Sequence, residues 1–308
     1  MIKYRYIRQS KGGRDVEAPY VIDEGKRDGV KYVRVGGIGN FSVFKTFDCG
    51  QCFRFDPDGD DGNTVSGVAF GKKVSFSDRD GTLTVTGAGA DDFSSTWLRY
   101  LSLDVDYDEI DRAVTSALDD EGNAVMSRAA EVSRGIRILR QDPWEALCSF
   151  IVSQNNNIPR IKKIIAAMCE AYGEKTEDGL SYAFPTARAL ADAGEEAIFA
   201  LRTGFRAKYI SDAARRVADG EIDLDSIVGS DDFAACEAEL MKIRGVGPKV
   251  ADCALLFGFG KTEAYPVDVW MKKVAARHFK EGPDPKKFGK YAGIAQQYLF
   301  YMERYVNG

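Results

Sequence analysis

The chain has 308 residues, 44% of them hydrophobic and 29% charged, and its formal net charge is −5. This length and composition allow one large core or two modest ones, which excludes disordered and fibrous proteins and predicts two or three packed domains. No apolar run approaches the roughly 20 residues of a membrane span, and the first residues lack the apolar stretch of a signal peptide. We therefore expect a protein without membrane attachment that acts inside the cell, in the cytoplasm and nucleoid, or in the nucleus if the cell is eukaryotic.

The charge is divided unevenly along the chain. Between Asp56 and Asp111 there are 13 acidic residues and 4 basic ones, so the rest of the chain carries a net charge of +4. Binding to nucleic acid depends largely on the neutralisation of phosphates by basic residues. The overall negative charge therefore does not exclude a nucleic-acid partner.

The cysteines and the single histidine limit the available chemistry. Six cysteines are scattered without the dense spacing of a disulfide framework, so we interpret them as thiols. Cys49 and Cys52 form a CxxC pair, but a structural zinc site needs a second pair of ligands, and His278 has no partner at ligand spacing. We expect no metal site.

The first hundred residues alternate runs of β-branched and aromatic residues with turns rich in Gly and Asp, such as Asp56–Gly62 and Asp78–Gly81. Such turns are typical of hairpins, and the alternation of apolar with polar residues indicates a sheet with one buried face. The predicted strands are Lys31–Val35, Phe41–Phe47, Cys52–Phe55, Val65–Phe70, Lys73–Ser77 and Thr82–Thr86.

After about Asp92 the apolar residues recur with helical spacing. The predicted helices are Ser94–Ser102, Asp108–Leu118, Asn123–Ser133, Pro143–Ser153, Ile158–Tyr172, Thr186–Asp192, Glu195–Leu201, Lys208–Asp219, Ser230–Lys242, Pro248–Phe257, Val269–Phe279 and Lys287–Arg304. The sequence therefore predicts an α+β protein. A twisted antiparallel β-sheet domain with an N-terminal extension is expected over residues 1–115, and mainly helical domains over residues 116–308, with a helix-hairpin-helix motif at about residues 236–256.

The run from Leu240 to Leu256 is the most informative part of the sequence. One helix ends near Ile243, Gly-Val-Gly turns the chain, and Pro248 stands where a first helical turn tolerates a missing N–H. Outward-facing N–H groups beside a helix N-terminus form a natural seat for phosphate, and glycine lets the phosphate approach closely. A turn of this kind is also an ordinary connection between two helices, so the motif alone leaves both interpretations open.

Lys249 makes the hairpin more specific. It lies just inside the new helix, at the positive end of the helix dipole, which disfavours a further cation and so favours the neutral, nucleophilic amine. Cys253 lies four residues on, on the same helical face, so a group attacked by Lys249 would rest against that thiol. A small buried apolar residue is the equally weighted alternative for this cysteine.

Asp268 follows in the run Pro266-Val-Asp-Val and precedes another helix. Its ordinary role would be to cap that helix. The cap is compatible with catalysis, because a carboxylate held by N–H groups is fixed in direction and able to stabilise positive charge that develops at a sugar C1′.

At this point the sequence resembles one family, the 8-oxoguanine DNA glycosylases of the helix-hairpin-helix-Gly/Pro-Asp superfamily. The similarity extends over most of the chain from about Phe41 onward, and its centre is the hairpin run with Lys249 and the Pro-Val-Asp-Val run with Asp268. Both runs are similar to the catalytic segment of the branch that uses a lysine. The resemblance implies that Lys249 is the nucleophile and Asp268 its catalytic partner.

The resemblance also implies a pocket for the damaged base. Residues 49–54 resemble a loop whose glycine carbonyl, here that of Gly50, senses the N7 hydrogen that oxidised guanine has and guanine lacks. In the closing helix, Gln296 would meet the Watson–Crick edge of the base and Phe300 would stack on it. The expected lesion-binding residues are Gly50, Cys253, Pro266, Gln296 and Phe300.

A second group of residues would hold the DNA around the base left without a partner. Asn155 would fill the vacated stack and Arg160 would contact the orphaned cytosine, while Phe205 would insert beside that base and Arg206 would bond to it. The expected orphan-base and DNA-binding residues are Asn155, Arg160, Phe205, Arg206, Gly245 and Gly247. Each has an ordinary structural interpretation as a loop cap, a core aromatic or a solvated cation. Their joint occurrence in family order favours DNA binding.

The chain departs from the family pattern in several places. Trp270 stands where some members have a histidine near the 5′ phosphate of the lesion, and an indole N–H brings no charge. Phe205 replaces the tyrosine often found at the wedge, and the first forty residues have no counterpart. No cluster-type cysteine spacing follows the hairpin, so the resemblance implies no iron-sulfur cluster and no other cofactor. A structural cation at the hairpin remains compatible with the motif.

The predicted function is therefore a bifunctional DNA glycosylase and AP lyase that removes 8-oxoguanine, with cytosine as the expected opposite base. Its partner would be double-stranded DNA containing oxidised guanine, and the resemblance implies a monomer. One alternative is a monofunctional glycosylase for alkylated bases, which would use Asp268 with water and would not need Lys249. The other is a non-catalytic DNA-binding protein, which would need neither Asp268 nor Gln296.

Overall fold

The computed structural model describes residues 18–59, 62–279 and 282–308. Its strands are β1 (Tyr20–Arg27), β2 (Val30–Gly36), β3 (Phe55–Pro57), β4 (Thr64–Ala69), β5 (Lys72–Arg79) and β6 (Thr82–Thr86). They form one antiparallel sheet in the order β1-β2-β6-β5-β4-β3. Helices make up most of the chain after the sheet, so the predicted α+β fold class is confirmed.

Two of the predicted strands are wrong. Val43–Phe47 forms the short helix α1, capped by the Ser42 hydroxyl, and its buried residues stand at spacings of three and four. Over so short a run, the buried Phe41 and Val43 imitate a strand. The predicted strand Cys52–Phe55 is mostly a loop, because β3 begins only at Phe55.

The first strand was not predicted at all. In β1 only Val21 is buried, because the strand lies at the edge of the sheet and pairs with β2 alone. An edge strand of this kind lacks the apolar alternation that reveals a strand in sequence. Residues 20–36, for which the resemblance implied no counterpart, thus complete the sheet. Residues 1–17 of the predicted N-terminal extension lie outside the described residues.

The helices that follow agree closely with the predicted periodicity. They are α2 (Ala90–Asp92), α3 (Leu98–Tyr100), α4 (Tyr107–Thr115), α5 (Asp120–Val132), α6 (Pro143–Ser153), α7 (Ile158–Tyr172), α8 (Ala187–Ile198), α9 (Ala207–Ala218), α10 (Leu224–Gly229), α11 (Phe233–Leu240), α12 (Pro248–Phe257), α13 (Val269–His278) and α14 (Ala292–Tyr301). Short π-helical or 3₁₀ turns occupy residues 93–97, 199–206, 285–291 and 302–306. The six-residue α10 was missed, because it is too short to show a period.

The buried apolar side chains form two clusters. One lies under the sheet and continues to Leu103, with Leu139 added from the loop before α6. The other unites the helices from α4 to α14 and includes Phe53 from the loop before β3. α4 therefore packs in the helical core, and the domain boundary at residue 115 stays a prediction. Among the described residues, no helix combines the length and apolar character required to cross a bilayer.

Candidate active site

A cavity of about 830 Å³ lies where the loop of residues 48–53 meets the end of α6, the turn before α12, and helices α13 and α14. Most of the residues singled out from the sequence line this cavity. They are Gly50, Asn155, Gly245, Gly247, Lys249, Cys253, Pro266, Asp268, Gln296 and Phe300. Arg160, Phe205 and Arg206 are not among its lining residues. Residues that are far apart in the sequence thus lie together around one cavity.

Lys249 reaches the cavity from the second residue of α12. Gly247 caps this helix with its backbone, and Pro248 occupies the first helical position, as the sequence predicted. The lysine is half-buried, and its Nζ lies 5.8 Å from the centre of the Phe150 ring. The Lys249 amine therefore lies at the positive end of a helix dipole, beside an aromatic ring and partly shielded from water. It is accessible to a molecule bound in the cavity.

Cys253 lies one turn after Lys249 and is buried at the base of the cavity. Burial raises the pKa of its thiol to about 11, although the charge of Lys249 and a hydrogen bond to it act in the opposite direction. The thiol is therefore neutral at physiological pH. It offers a small apolar surface rather than a nucleophile.

Asp268 caps α13, as expected. Its Oδ1 accepts hydrogen bonds from the backbone N–H groups of Trp270 and Met271, both at 2.9 Å. Asp268 also acts electrostatically on Cys253, where its charge raises the pKa of the thiol while Lys249 lowers it. The amine, the carboxylate and the thiol all line the same cavity, and the carboxylate is fixed in direction by the helix end.

Gly50 lines the cavity from the loop of residues 48–53 and has φ of +80°. A methyl group at this position would lie 3.8 Å from the Phe300 ring and 3.9 Å from Nη1 of Arg304. The carbonyl just before it, that of Cys49, accepts a hydrogen bond from Nε2 of Gln297 at 3.1 Å. The glycine thus adopts a backbone conformation that other residues rarely take, and it faces the ring expected to stack on a base.

The loop around Gly50 is held by glutamine side chains in place of a neighbouring strand. Nε2 of the buried Gln51 donates to the carbonyls of Thr46 and Arg137 at 2.7 and 2.8 Å. Its Oε1 accepts from the N–H of Leu139 at 2.8 Å, and Gln141 donates to its backbone carbonyl at 2.7 Å. These bonds hold the loop at Gln51 without the pairing of a strand.

Gln296 and Phe300 lie on α14 one turn apart and both face the cavity. Gln296 is 4% exposed, and its Oε1 has no hydrogen-bond partner among the described residues. A buried amide oxygen without a partner is costly unless a ligand supplies a donor. Gln296 is therefore prepared to accept a hydrogen bond from a molecule bound in the cavity.

The hairpin turn is shaped by packing as well as by access to phosphate. Gly245 has φ of +80°, and an added Cβ would come within 2.5 Å of the Tyr209 ring. Asp212, which lies on helix α9 as Tyr209 does, accepts a hydrogen bond from the backbone N–H of Arg244 at 2.8 Å. An added Cβ at Gly247, by contrast, would meet nothing within 4 Å. Packing against Tyr209 thus requires glycine at position 245. At position 247 the absence of a side chain leaves the outer surface of the turn open to a ligand.

The asparagine-rich loop and the predicted wedge lie next to each other. Asn155 is exposed with φ of +46°, and Arg160 is exposed, with one long bond of 3.4 Å to the carbonyl of Arg202. Phe205 is 47% exposed, consistent with a wedge. Arg206 differs from the expectation, because it is buried against this loop and bonds to its carbonyls. Its contact with an orphan base stays a prediction.

Sequence reasoning missed other residues that line the cavity, notably Arg304, Phe150 and Gln297. Arg304 lies one helical turn after Phe300, with its guanidinium 5.6 Å from that ring and 5.8 Å from Trp270. The spacing of four from Phe300 was the available signal. Phe150 and Gln297 gave none, because a buried aromatic in an apolar helix and a second glutamine look like ordinary core residues.

Within residues 18–59, 62–279 and 282–308, no cluster of three or more His, Cys, Asp or Glu side chains is arranged to hold a metal ion. All six cysteines are free and buried. Burial raises the pKa of Cys49 to about 12 and that of Cys52 well above the usual value. The CxxC pair is therefore composed of protonated thiols in the loop that carries Gly50.

Two family models match the chain side by side. Residues 37–147 match the 8-oxoguanine DNA glycosylase N-terminal domain, and residues 148–292 match the HhH-GPD superfamily of base excision DNA repair proteins. This chain is similar to the solved structure of Clostridium acetobutylicum 8-oxoguanine glycosylase/lyase in complex with double-stranded DNA. The identity is 37%, the TM-score is 0.84, and the match covers 94% of this chain and 98% of that one.

The fold and the site thus define a helix-hairpin-helix base excision DNA repair protein. The match to the Clostridium structure covers nearly its whole length. Within this superfamily, the chain therefore belongs to the 8-oxoguanine DNA glycosylase family.

The N-glycosylase/DNA lyase of Saccharomyces cerevisiae is 36% identical over 215 residues, which are 55% of this chain and 57% of that one. The probable N-glycosylase/DNA lyase of Methanothermobacter thermautotrophicus is 33% identical over 57% of this chain and 65% of that one. The chain therefore spans between half and two thirds of the curated relatives that it matches.

Proposed function

We propose that this protein is a bifunctional DNA glycosylase and AP lyase that removes 8-oxoguanine, with cytosine as its preferred opposite base. The observation that carries the proposal is the convergence of Lys249 and Asp268 on one cavity that also contains the unpartnered Oε1 of Gln296. The activities for which the relatives are named support the same function. The Clostridium structure in particular contains DNA with cytosine opposite 8-oxoguanine.

The cavity lies inside the protein surface, so the target nucleotide must leave the duplex to reach it. Once it is there, the Lys249 amine attacks C1′ while the bond from C1′ to the base breaks and its electron pair leaves with the base, which takes up a proton. Asp268, fixed by two N–H groups of α13, stabilises the positive charge that develops on the sugar. The product is a covalent link between the lysine nitrogen and C1′.

Opening of the sugar ring then converts this link into a Schiff base. Loss of a C2′ proton and departure of the 3′ oxygen break the strand by β-elimination, and hydrolysis of the Schiff base releases Lys249. The proposal therefore requires a lysine in the cavity, which the alternative of a monofunctional glycosylase does not. No step depends on a cofactor, and the absence of an iron-sulfur cluster stays part of the proposal.

The walls of the cavity suit an oxidised guanine. Guanine presents N1–H and N2–H donors on its Watson–Crick edge, and the buried Oε1 of Gln296 is an acceptor in need of a donor. Phe300 supplies a face for stacking, and the loop carbonyl at Gly50 would accept the N7 hydrogen that distinguishes 8-oxoguanine from guanine. Cys253 and Pro266 complete the pocket with apolar surface.

On the DNA side, Asn155 and Phe205 would occupy the space that the flipped nucleotide leaves, and Arg160 would contact the orphan cytosine. Gly245 and Gly247 would present backbone N–H groups to a phosphate. We also infer that the enzyme acts as a monomer, in the compartment that holds the genome. Sedimentation of the purified protein with and without an 8-oxoguanine duplex tests the monomer, since a dimer would have twice the expected protein mass alone and would add two protein copies to each duplex.

Borohydride trapping tests the reaction. The purified protein is incubated with a duplex containing one 8-oxoguanine opposite cytosine, and the K249Q variant serves as control. We expect a covalent adduct with the wild type and none with K249Q. If K249Q still releases the base without forming an adduct, the nucleophile is water activated by Asp268. If the wild type releases no base, 8-oxoguanine is not the substrate.

A further inference from the structure

Arg304 is a half-buried cation that lines the cavity four residues after Phe300. Within the part of the chain that the structure describes, its guanidinium forms no hydrogen bond and no ion pair. It contacts aromatic rings instead, since Cζ lies 5.6 Å from the centre of the Phe300 ring, 5.8 Å from that of Trp270 and 5.3 Å from that of Tyr305. An aromatic ring attracts a cation to its face and leaves the N–H donors of that cation unused. The donors of Arg304 are therefore available to a ligand.

Two carboxylates near Arg304 do not pair with it. Glu303 precedes it in the chain, but the buried carboxylate of Glu303 is bonded to two basic side chains of α13, at 2.8 and 3.2 Å. Burial raises the pKa of Asp48 and the charges of Lys162 and Arg304 lower it. No ion pair joins Asp48 to Arg304 among the described residues. A cation that is partly shielded from water and has no bonded carboxylate favours an acceptor that a ligand supplies.

The guanidinium lies beside Gly50 at the edge of the Phe300 ring. A Cβ added at Gly50 would be 3.9 Å from Nη1 of Arg304 and 3.8 Å from the nearest atom of that ring. In the proposed function the base stacks on Phe300, its Watson–Crick edge meets Gln296, and its N7 hydrogen meets the loop carbonyl at Gly50. Arg304 would therefore face the imidazole edge of the base, next to N7.

The imidazole edge of 8-oxoguanine differs from that of guanine at two adjacent atoms. N7 carries a hydrogen, and C8 carries a carbonyl oxygen, O8, where guanine has only a hydrogen. A backbone carbonyl can accept the first, and a donor beside it can bind the second. O8 is also conjugated with N9 through C8, so it shares the electron pair that N9 gains when the bond to C1′ breaks. A cationic donor at O8 therefore binds the transition state more tightly than the intact nucleotide.

We propose that Arg304 is a catalytic residue that donates a hydrogen bond to O8 of the flipped base and stabilises the negative charge that the base gains as it departs. The proposal rests on the proposed function, because it concerns the same pocket. The bond from C1′ to N9 breaks while the bond from the Lys249 nitrogen to C1′ forms. The proton that the lysine nitrogen loses balances the proton that the base takes up, and the guanidinium stays protonated throughout.

The first test compares R304M and R304K in single-turnover excision of 8-oxoguanine opposite cytosine. Methionine keeps an apolar side chain against the rings and removes the charge, whereas lysine keeps the charge. We expect R304M to slow excision by about 10²–10³-fold and R304K to recover about tenfold of that loss. K273M is the matched control, because Lys273 contacts the Trp270 ring at 4.0 Å but does not line the cavity. Its rate should stay within about threefold of the wild type.

Abasic DNA separates an oxygen of the base from an oxygen of the phosphate backbone. An abasic site has no O8, so R304M should cleave it by β-elimination at a rate within about threefold of the wild type. Its Kd for a duplex with a tetrahydrofuran abasic analogue should likewise be unchanged. Equal losses on 8-oxoguanine and abasic duplexes would place the guanidinium on a phosphate and overturn the inference. Thermal melting of each variant checks folding, and R304Q replaces R304M if R304M melts below the assay temperature.

A binding series that needs no base release distinguishes failure of this inference from failure of the proposed function. Kd is measured for 8-oxoguanine and guanine duplexes with K249Q and with the variant that carries both K249Q and R304M. We expect the added R304M to reduce the preference for 8-oxoguanine by about tenfold, because one charge-assisted hydrogen bond is lost. A wild type that binds the lesion without excising it would contradict the proposed function, while this series would still decide the contact with O8. An unchanged preference overturns the inference.

Discussion

The two sides of the cavity are built in different ways. On the lesion side, Asp268 is fixed by helix N–H groups, the loop around Gly50 is held by buried glutamines, and Gln296 is enclosed in α14. On the orphan side, Asn155 and Phe205 are exposed and depend on one guanidinium between them. Backbone and buried side chains therefore hold the proposed lesion side, whereas the exposed residues of the proposed orphan side are held by contacts of a single side chain.

The largest effect should come from the charge at the helix cap. Asparagine is a good N-cap residue, so D268N should keep α13 intact while it removes the carboxylate charge. We expect excision to slow by about 10²–10³-fold with thermal stability almost unchanged. D268A is the matched control, since it should also lower the free energy of unfolding by about 1 kcal/mol. Equal rates in D268N and wild type would remove Asp268 from the mechanism.

The hairpin contains one glycine that packs against the protein and one that faces outward, so substitutions at the two positions can be compared. G245A places a Cβ against the Tyr209 ring at a positive φ, so we expect a loss of about 1–3 kcal/mol in the free energy of unfolding. G247A meets no protein atom and should fold as the wild type. Urea unfolding and DNA affinity separate the two cases. A G247A variant that binds DNA normally would show that this turn makes no close phosphate contact.

G50A should affect recognition of the lesion. The new methyl group would strain a backbone at φ of +80° by about 1 kcal/mol and shift the carbonyl that faces the base. We expect the preference for an 8-oxoguanine duplex over a guanine duplex to fall by about tenfold in Kd measurements. G39A, with φ of +59° and no atoms near the added Cβ, controls for backbone strain alone. The same loss of preference in both variants would contradict a special role for Gly50.

The smallest effect concerns pH. Burial, followed by the charge of Glu237, raises the pKa of Asp252 from 3.8 to about 7, and this residue does not line the cavity. A carboxyl with a raised pKa in the folded state contributes stability at low pH that is lost as the pH rises through that value. Wild type should therefore lose stability relative to D252N between about pH 4 and pH 7, by on the order of 1 kcal/mol. Parallel melting curves across this range would contradict the assignment.

The sequence predicted the placement of Lys249 and Asp268 better than that of Arg206, and the reason is physical. Lys249 and Asp268 lie at helix starts, where Gly, Pro and Asp leave a signature that can be recognised without the structure. The partners of Arg206 are backbone carbonyls remote in sequence, and no residue pattern encodes such bonds. Edge strand β1 and helix α1 were missed likewise, because their burial is set by tertiary neighbours.

The central claim is that the Lys249 amine forms the covalent bond to the sugar. The trapped complex with an 8-oxoguanine duplex should be digested with protease and nuclease, and the modified peptide identified by mass spectrometry. The account predicts that the reduced deoxyribose remnant is attached to Lys249. Attachment to another lysine of the cavity, such as Lys272, or to the N-terminal amine would contradict it.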